Sequence, residues 1–409
     1  MRLLFVADGR SPITLSWLRH WIERGDEIHL ISTFPCDPPP GLTSFHVLAV
    51  AFGALGGGQA ANSSQTSKRG LVGRFRGLLR PLRYSLGPLS LLAYIKRFRA
   101  LVAVINPDLI HALRIPFEGM LASCAPREAP LVVSIWGNDL TLHAHGSLLM
   151  KWLTRRTLRR AQGLMADARR DIRLGREWGF SPVGLAQHLL GRQEKPTLVV
   201  PGAGGIRLDE IQRATAEAGS LPDLPVDAPL IVNPRGARPG SLRNDTFFRA
   251  IPLVVQKIPQ ACFVCPPLAA DLQAEYWIAS LGIQANVRLW PRLSQPQLWA
   301  LFQRARVFVS PSAHDGTPNS LLEAMACGCF PITGDIESMR EWINPGENGF
   351  LVNPADPQAL AEAILAALED PVLRARAAKQ NAHILSERAD YPRCMGQVEE
   401  FYENVRRKT

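Results

Sequence analysis

Two acids eight residues apart, Asp315 and Glu323, bracket a short loop and the start of a helix pattern, and two arginines, Arg235 and Arg243, share an earlier loop. Those residue types in that order suit recognition of a phosphate-bearing ligand. The first segment, Ser310–Phe330, reads SPSAHDGTPNSLLEAMACGCF and follows the apolar run Val307–Val309. Thr317 suits a helix cap, Pro318 the first helical position and Gly328 the end, with Leu321, Leu322, Ala324 and Met325 as the buried face. A helix of about ten residues is predicted. Its first turn leaves N–H groups unpaired beside the positive end of the dipole, and the small residues Gly316, Thr317 and Ser320, with Asn319 in the same turn, let an anion approach closely. We read this as a diphosphate cradle. Glu323 is placed to accept hydrogen bonds from ribose hydroxyls, as an acid does in dinucleotide sites.

The second segment, Pro234–Phe247, reads PRGARPGSLRNDTF and follows the apolar run Leu230–Asn233. Arg235 stands where that strand ends, and Arg243 stands just before an apolar helical pattern. Two arginines on one rim hold a departing diphosphate, each contact contributing about 3 kcal/mol to the transition state.

The elements that must position these groups recur along the whole chain. Short continuous apolar runs at Leu3–Ala7, Ile28–Ser32, Phe45–Val50, Leu109–Ala112, Leu131–Ile135, Gly163–Ala166 and Leu198–Val200 alternate with longer mixed segments. The rhythm restarts at Leu230–Asn233 and continues through Ala261–Val264, Val287–Leu289, Val307–Ser310, Phe330–Thr333 and Phe350–Val352. Continuous runs fit strands covered on both faces by helices. The fold class is therefore α/β, two doubly wound Rossmann-like domains facing a cleft, joined near Pro201–Pro229. The expected division is 1–205, 206–385, and a C-terminal helix over 386–409 that returns to the first domain.

At 409 residues, with 46% hydrophobic and 20% charged residues, the chain has the composition of a globular protein and not of a disordered or disulfide-stapled one. The seven cysteines are scattered, and Cys262 and Cys265 lie in an apolar run with no second pair to complete a zinc site, which suits a reducing compartment. Met1–Ala7 suits a first strand and not a signal peptide. No DxD motif occurs, so no metal-bridged diphosphate is suggested and none of the residues is assigned to a metal. Nor does any G-x-G-x-x-G follow an early strand, which argues against a nicotinamide enzyme.

The formal charge of +10 is concentrated locally. Between Pro38 and Pro107 there is no acid, while Lys68, Arg69, Arg74, Arg76, Arg80, Arg83, Lys96, Arg97 and Arg99 interleave with leucines. Residues 68–99 thus read as a basic amphipathic segment suited to an anionic membrane surface, or as a solvated face. Lys151, Arg155, Arg156, Arg159 and Arg160 form a second cluster beside Trp152 and Leu153. With few aromatics and no reading motif, nucleic acid is not an expected partner. The stretch Tyr84–Ile105 is broken by Lys96, Arg97 and Arg99, which argues against a membrane span. The expected location is cytoplasmic, with a peripheral place on the inner membrane face.

Together these residues resemble the retaining GT-B glycosyltransferases of family four, the glycosyl transferases group 1. Asp315-Gly-Thr-Pro-Asn-Ser-Leu-Leu-Glu323-Ala-Met-Ala-Cys-Gly328 looks like that family's E-x7-E motif with Asp in place of the first Glu. Weaker echoes are Pro107-Asp-Leu-Ile-His111, Val200-Pro-Gly-Ala-Gly204 and Gly346-Glu-Asn-Gly-Phe-Leu-Val352. The resemblance implies that Arg235 and Arg243 hold the diphosphate, with Arg243 replacing the usual Lys, that Asp315 meets the donor sugar and that Glu323 meets the ribose. It places the base near Leu289–Arg292 and a phosphate contact at Gly9, although Asp8-Gly-Arg lacks the common Gly-Gly. Ser134-Ile-Trp-Gly-Asn-Asp139 resembles the segment beside the reacting sugar, where many relatives carry His at the place of Trp136; Asp139 is the acceptor-side candidate.

The activity so implied is hexosyl transfer, with retained configuration, from a nucleotide-diphosphate sugar to a glycan, lipid-linked or other hydroxyl acceptor, as in making envelope polysaccharide or glycolipid. The nucleotide sugar is a co-substrate, and no cofactor is implied. Two alternatives stay open: a catalytically silent relative serving as a partner subunit, and an epimerase or hydrolase of the same fold.

Overall fold

Apolar runs without polar alternation become strands whose two faces are both covered. The computed structural model describes residues 1–51, 83–181, 195–214, 221, 224–225 and 227–407. They divide into Met1–Val200 with Met395–Thr409, and Pro201–Cys394.

In the first unit the strands are β1 (Arg2–Ala7), β2 (Glu27–Ser32), β3 (Ser44–Val47), β4 (Leu109–Ala112), β5 (Leu131–Ile135), β6 (Gly163–Ala166) and β7 (Thr197–Val199), in the order β3-β2-β1-β4-β5-β6-β7. All pairs are parallel. The second unit holds β8 (Leu230–Val232), β9 (Cys262–Cys265), β10 (Val287–Leu289), β11 (Val307–Ser310), β12 (Phe330–Gly334) and β13 (Phe350–Val352), ordered β10-β9-β8-β11-β12-β13 and again parallel. Both units therefore reverse direction of winding between their first and fourth strands. That reversal opens a crevice at the carboxyl ends of β1 and β4, and of β8 and β11.

Helices fill the crossovers for local reasons. Ser11 precedes α1 (Pro12–Glu23), which has Pro in its first turn and buries Trp17, Leu18 and Trp21. A left-handed Asn106 ends α2 (Ser90–Ile105). Ser147 caps α3 (Leu148–Arg160) by accepting from Met150 N–H. In the second unit α4 (Asn244–Lys257) buries Phe247, Phe248, Ile251 and Val254, and α5 (Gln295–Arg304) starts with a capping box between Ser294 and Gln297. Next come α6 (Asn319–Ala326) and, at the end of the chain, α7 (Tyr391–Arg407).

Val398, Phe401, Tyr402 and Val405 of α7 are buried in the first unit. Tyr402 stacks on Trp21 at 4.8 Å, and its hydroxyl bonds His111 Nδ1. His111 Nε2 meets Ser134 Oγ at 2.8 Å, and burial pushes this imidazole down to about 3. An added Cβ at Gly163 would lie 2.7 Å from Val405, so the approach of α7 to β6 needs glycine there.

Among the described residues no helix is long and apolar enough to cross a membrane. Of the basic amphipathic run, residues 68–82 lie outside the described residues.

Candidate active site

Both crevices collect charged side chains from the loops that leave their strands. In the second unit, β8 hands over to Asn233, whose buried amide sets the next turn: Oδ1 accepts from Arg235 N–H at 3.3 Å, and Nδ2 donates to Asn244 Oδ1 at 3.3 Å. Gly236 follows at φ +64°, a left-handed conformation that favours glycine. The turn brings Arg235, 9% exposed, against the loop after β11. Its Nη2 pairs with Asp315 Oδ2, its Nη1 donates to Ser320 Oγ at 3.3 Å, and its buried Nε has no hydrogen-bond partner among the described residues. Asp315 is itself held by Ser312 Oγ at 3.3 Å and Gly316 N–H at 3.1 Å, while Ser338 Oγ donates to its carbonyl at 2.7 Å.

The helix after this loop begins later than the sequence suggests. Pro318, in extended conformation, is the cap and not the first helical residue, and α6 runs eight residues from Asn319. Thr317 does not cap because its Oγ1 accepts from Trp342 Nε1 at 3.0 Å, a partner 25 residues away. No acceptor takes the Asn319 or Ser320 amide among the described backbone bonds, so both remain open donors at the helix start. Gly202, at φ +57°, closes on this turn: an added Cβ would stand 2.6 Å from Asn319 Oδ1. Glu323 is buried in α6 with Oε1 accepting from Gln295 Nε2 at 2.8 Å. Burial pushes its carboxyl up to about 7, against the hydrogen bond from Gln295.

Arg243 reaches the same edge by its backbone, since its N–H donates to Pro311 O at 3.1 Å. Its guanidinium, however, is turned to Asp245, with bonds of 2.9 and 2.8 Å, and is not joined to Arg235 around one ligand-shaped gap. The Asp245 carboxylate lies two residues along the chain and holds the guanidinium above its ordinary range. Leu289 is half-buried at the end of the edge strand β10, two strands from β8.

In the first unit the sequence candidates are positioned differently from one another. Gly9 follows β1, and its N–H already donates to Ser32 Oγ at 3.1 Å. Trp136 follows β5 with the Arg114 guanidinium 5.5 Å from its ring centroid. Asp139 is wholly buried and accepts from Arg114 Nη2 at 2.8 Å, Ile115 N–H at 3.1 Å and Trp136 N–H at 3.2 Å. A carboxylate so enclosed positions Arg114 and presents no exposed surface of its own, unlike the direct acceptor contact expected from the sequence.

Glu118 is the group that sequence reasoning passed over. It is buried, its Oε1 accepts from Thr33 Oγ1 at 3.3 Å, and burial pushes its carboxyl up to about 8 despite Arg114 nearby. Phe117 before it has φ +66°. Arg114 and Glu118 both follow β4 at the switch point, the place where the strand-end rule directs attention. Among the described residues, no group of three His, Cys, Asp or Glu side chains is arranged to hold a metal.

Residues 245–383 match the family described as glycosyl transferases group 1, and residues 9–191 match the glycosyl transferase 4-like domain. The chain is 27% identical over 203 residues to the D-inositol 3-phosphate glycosyltransferase of Streptomyces avermitilis, covering 47% of this chain and 43% of that one. It is 38% identical over 97 residues to the GDP-mannose:cellobiosyl-diphosphopolyprenol alpha-mannosyltransferase of Xanthomonas campestris, covering 24% and 25%. The chain thus spans less than half the length of these relatives. A solved structure of Anabaena HepE in complex with UDP superposes with a TM-score of 0.67 at 16% identity, over 99% of this chain and 100% of that one. That likeness is one of fold, the paired parallel-sheet architecture called GT-B.

Proposed function

We propose that this chain, which belongs to the glycosyl transferases group 1, moves a hexose from a nucleoside-diphosphate sugar to a hydroxyl of a glycan or lipid-linked acceptor, with retained configuration. The observation that carries this reading is the start of α6. There Arg235 keeps a buried Nε–H with no partner among the described residues, and the amides of Asn319 and Ser320 stand open at the same helix start. Three donors at one helix start suit the two phosphates of a donor. Buried Glu323, one helical turn further on, suits the ribose hydroxyls.

In the reaction the bond from the sugar's anomeric carbon to the diphosphate oxygen breaks, and a bond to the acceptor oxygen forms on the same face. The acceptor proton passes to the departing diphosphate, so no strong protein base is needed. Arg235 and the helix start stabilise the leaving charge, and Arg243 joins them by exchanging Asp245 for phosphate. Asp315 orients the sugar from beside Arg235, and Arg114, held by Asp139, faces the acceptor. Charge is neutralised by guanidinium and amide groups without a metal, so turnover is expected to survive EDTA.

The test is turnover with a panel of UDP- and GDP-sugars and polyprenyl-linked or glycan acceptors, with the product anomer read by NMR. Arg235→Ala is expected to lower turnover by about two orders of magnitude. A variant that turns over at the wild-type rate, or a product of inverted configuration, refutes the respective assignment.

A peripheral membrane contact through residues 68–99 belongs to the same reading. Its described part exposes Leu86, Leu89 and Leu92, the last at 69%, ahead of Lys96, Arg97 and Arg99 on α2. This face suits the cytoplasmic leaflet. Sedimentation with vesicles, if indifferent to anionic lipid content, removes it.

A further inference from the structure

At the other end of the first sheet, where strands begin, six cations surround one concavity of about 800 Å³: Arg99, Arg127, Arg156, Arg159, Arg160 and Lys195. Gln162, which joins this lining, is locked to the start of β5 by bonds of 2.9 and 2.8 Å with Leu131, and Lys195 stands just before β7. The carboxyl ends of the strands, with Gly9, Arg114 and Trp136, lie roughly 13 Å away along β5 alone. This pocket is therefore separate from the candidate acceptor site.

None of the six takes part in an ion pair with a described acid; what holds four of them is neutral oxygen. Arg99 Nε donates to Cys124 O at 2.8 Å, Arg156 Nη1 to Ser123 Oγ at 2.9 Å, Arg160 Nη2 to Ala129 O at 2.8 Å and Lys195 Nζ to Ala161 O at 2.7 Å. Carbonyls fix where these heads point and leave their charge unbalanced. The buried Nε of Arg160 has no partner among the described residues. Like charges gathered near a surface repel one another, a cost that a bound anion reverses. Burial lowers Arg160 and Lys195 from their ordinary ranges, with neighbouring cations adding to it, and exposed Glu128 is the acid acting on Arg160.

We propose that this pocket is a binding site for a phosphate-bearing ligand, independent of sugar transfer. Its size suits a diphosphate or a phosphorylated headgroup, and a volume of this order is that of small-molecule sites. Trp152 lines one wall at 59% exposure, and Leu148, one turn earlier on α3, is exposed, so an apolar part of the ligand has a surface to lie on. Donors outnumber engaged acceptors because an arginine carries five N–H groups.

The test uses the full chain, Trp152 emission as reporter, and two probes. Inorganic pyrophosphate represents a free phosphate ligand, and phosphatidylcholine vesicles with and without phosphatidic acid represent a lipid headgroup. Trp152→Phe identifies the signal from this pocket and separates it from any binding near Arg235. The Arg127 and Arg159 guanidinium groups are exposed and make no described hydrogen bond, so Arg127→Glu with Arg159→Glu is expected to keep the fold and weaken binding by about tenfold or more. Should that pair unfold, Arg127→Gln with Arg159→Gln serves instead. Saturation by pyrophosphate supports a free ligand, and binding only to vesicles bearing phosphatidic acid supports a headgroup. No Trp152-dependent response to either probe, or a response the charge changes leave intact, overturns the proposal.

Discussion

In the ligand-free protein Asp315 is the counter-charge of Arg235, and on the proposed reading a diphosphate takes over that role. Asp315→Asn tests this exchange, because the amide keeps the shape and the contact from Gly316 N–H while removing the charge. A charge-assisted hydrogen bond contributes about 1.5–3 kcal/mol, so the variant is expected to lose about 2 kcal/mol of stability. Most of that energy no longer opposes an incoming anion. Nucleoside diphosphate without sugar is then expected to bind about tenfold tighter, equivalent to about 1.4 kcal/mol. For a domain of this size that adds about 4 °C to the thermal shift the nucleotide produces. Turnover moves the opposite way, falling with the lost sugar contact. The assay is a melting series with UDP and GDP on both proteins, followed by turnover. An equal or smaller nucleotide shift in the variant would show that Asp315 does not compete for Arg235, and the exchange would be refuted.

Glu118→Gln is expected to stabilise the protein increasingly as pH rises. The buried acid titrates near 8, the unfolded chain near 4.5, so wild-type stability is full below 4.5 and falls as pH climbs toward 8. The gap reaches about 3 kcal/mol at pH 7, and parallel denaturant midpoints across pH 4–8 would refute it. Gly202→Ala forces a Cβ onto Asn319 from a left-handed backbone, so a loss of about 1–3 kcal/mol with weaker nucleotide binding is expected. Wild-type melting and affinity would deny Gly202 its place at the helix start.

What was legible in the sequence follows from how far each determinant lies along the chain. The runs Leu131–Ile135 and Val307–Ser310 emerge as strands with those limits, because a strand buried on both faces is written in consecutive apolar residues. The run Phe45–Val50 exceeds β3, which stops at Val47 because Val50 N–H turns back to Leu48 O. The spacing of Asp315 and Glu323 is local and can be read from the sequence. That Asp315 pairs with a side chain 80 residues away, and that Thr317 serves Trp342 and not the helix, is decided by packing that no local pattern records. Glu118 and Asp139 carry ordinary acid letters, and only the closed crevice beyond β4 and β5 reveals their burial.

Ligand-free charges at the second crevice are paired with each other, Arg235 with Asp315 and Arg243 with Asp245. Such pairs restrain the side chains before a donor arrives and reduce the ordering that binding must impose, while each also sets a competitor against the phosphate. The two pairs differ in burial: Arg235 is nearly enclosed, Arg243 is 41% exposed. Water screens the second pair, so Arg243 changes partner at little cost, whereas Arg235 retains Asp315 until a stronger anion is in place. On the proposed reading an order of engagement follows: phosphate meets the helix start and Arg243 first, and the exchange at Arg235 comes last, at the position where that reading has the leaving charge develop.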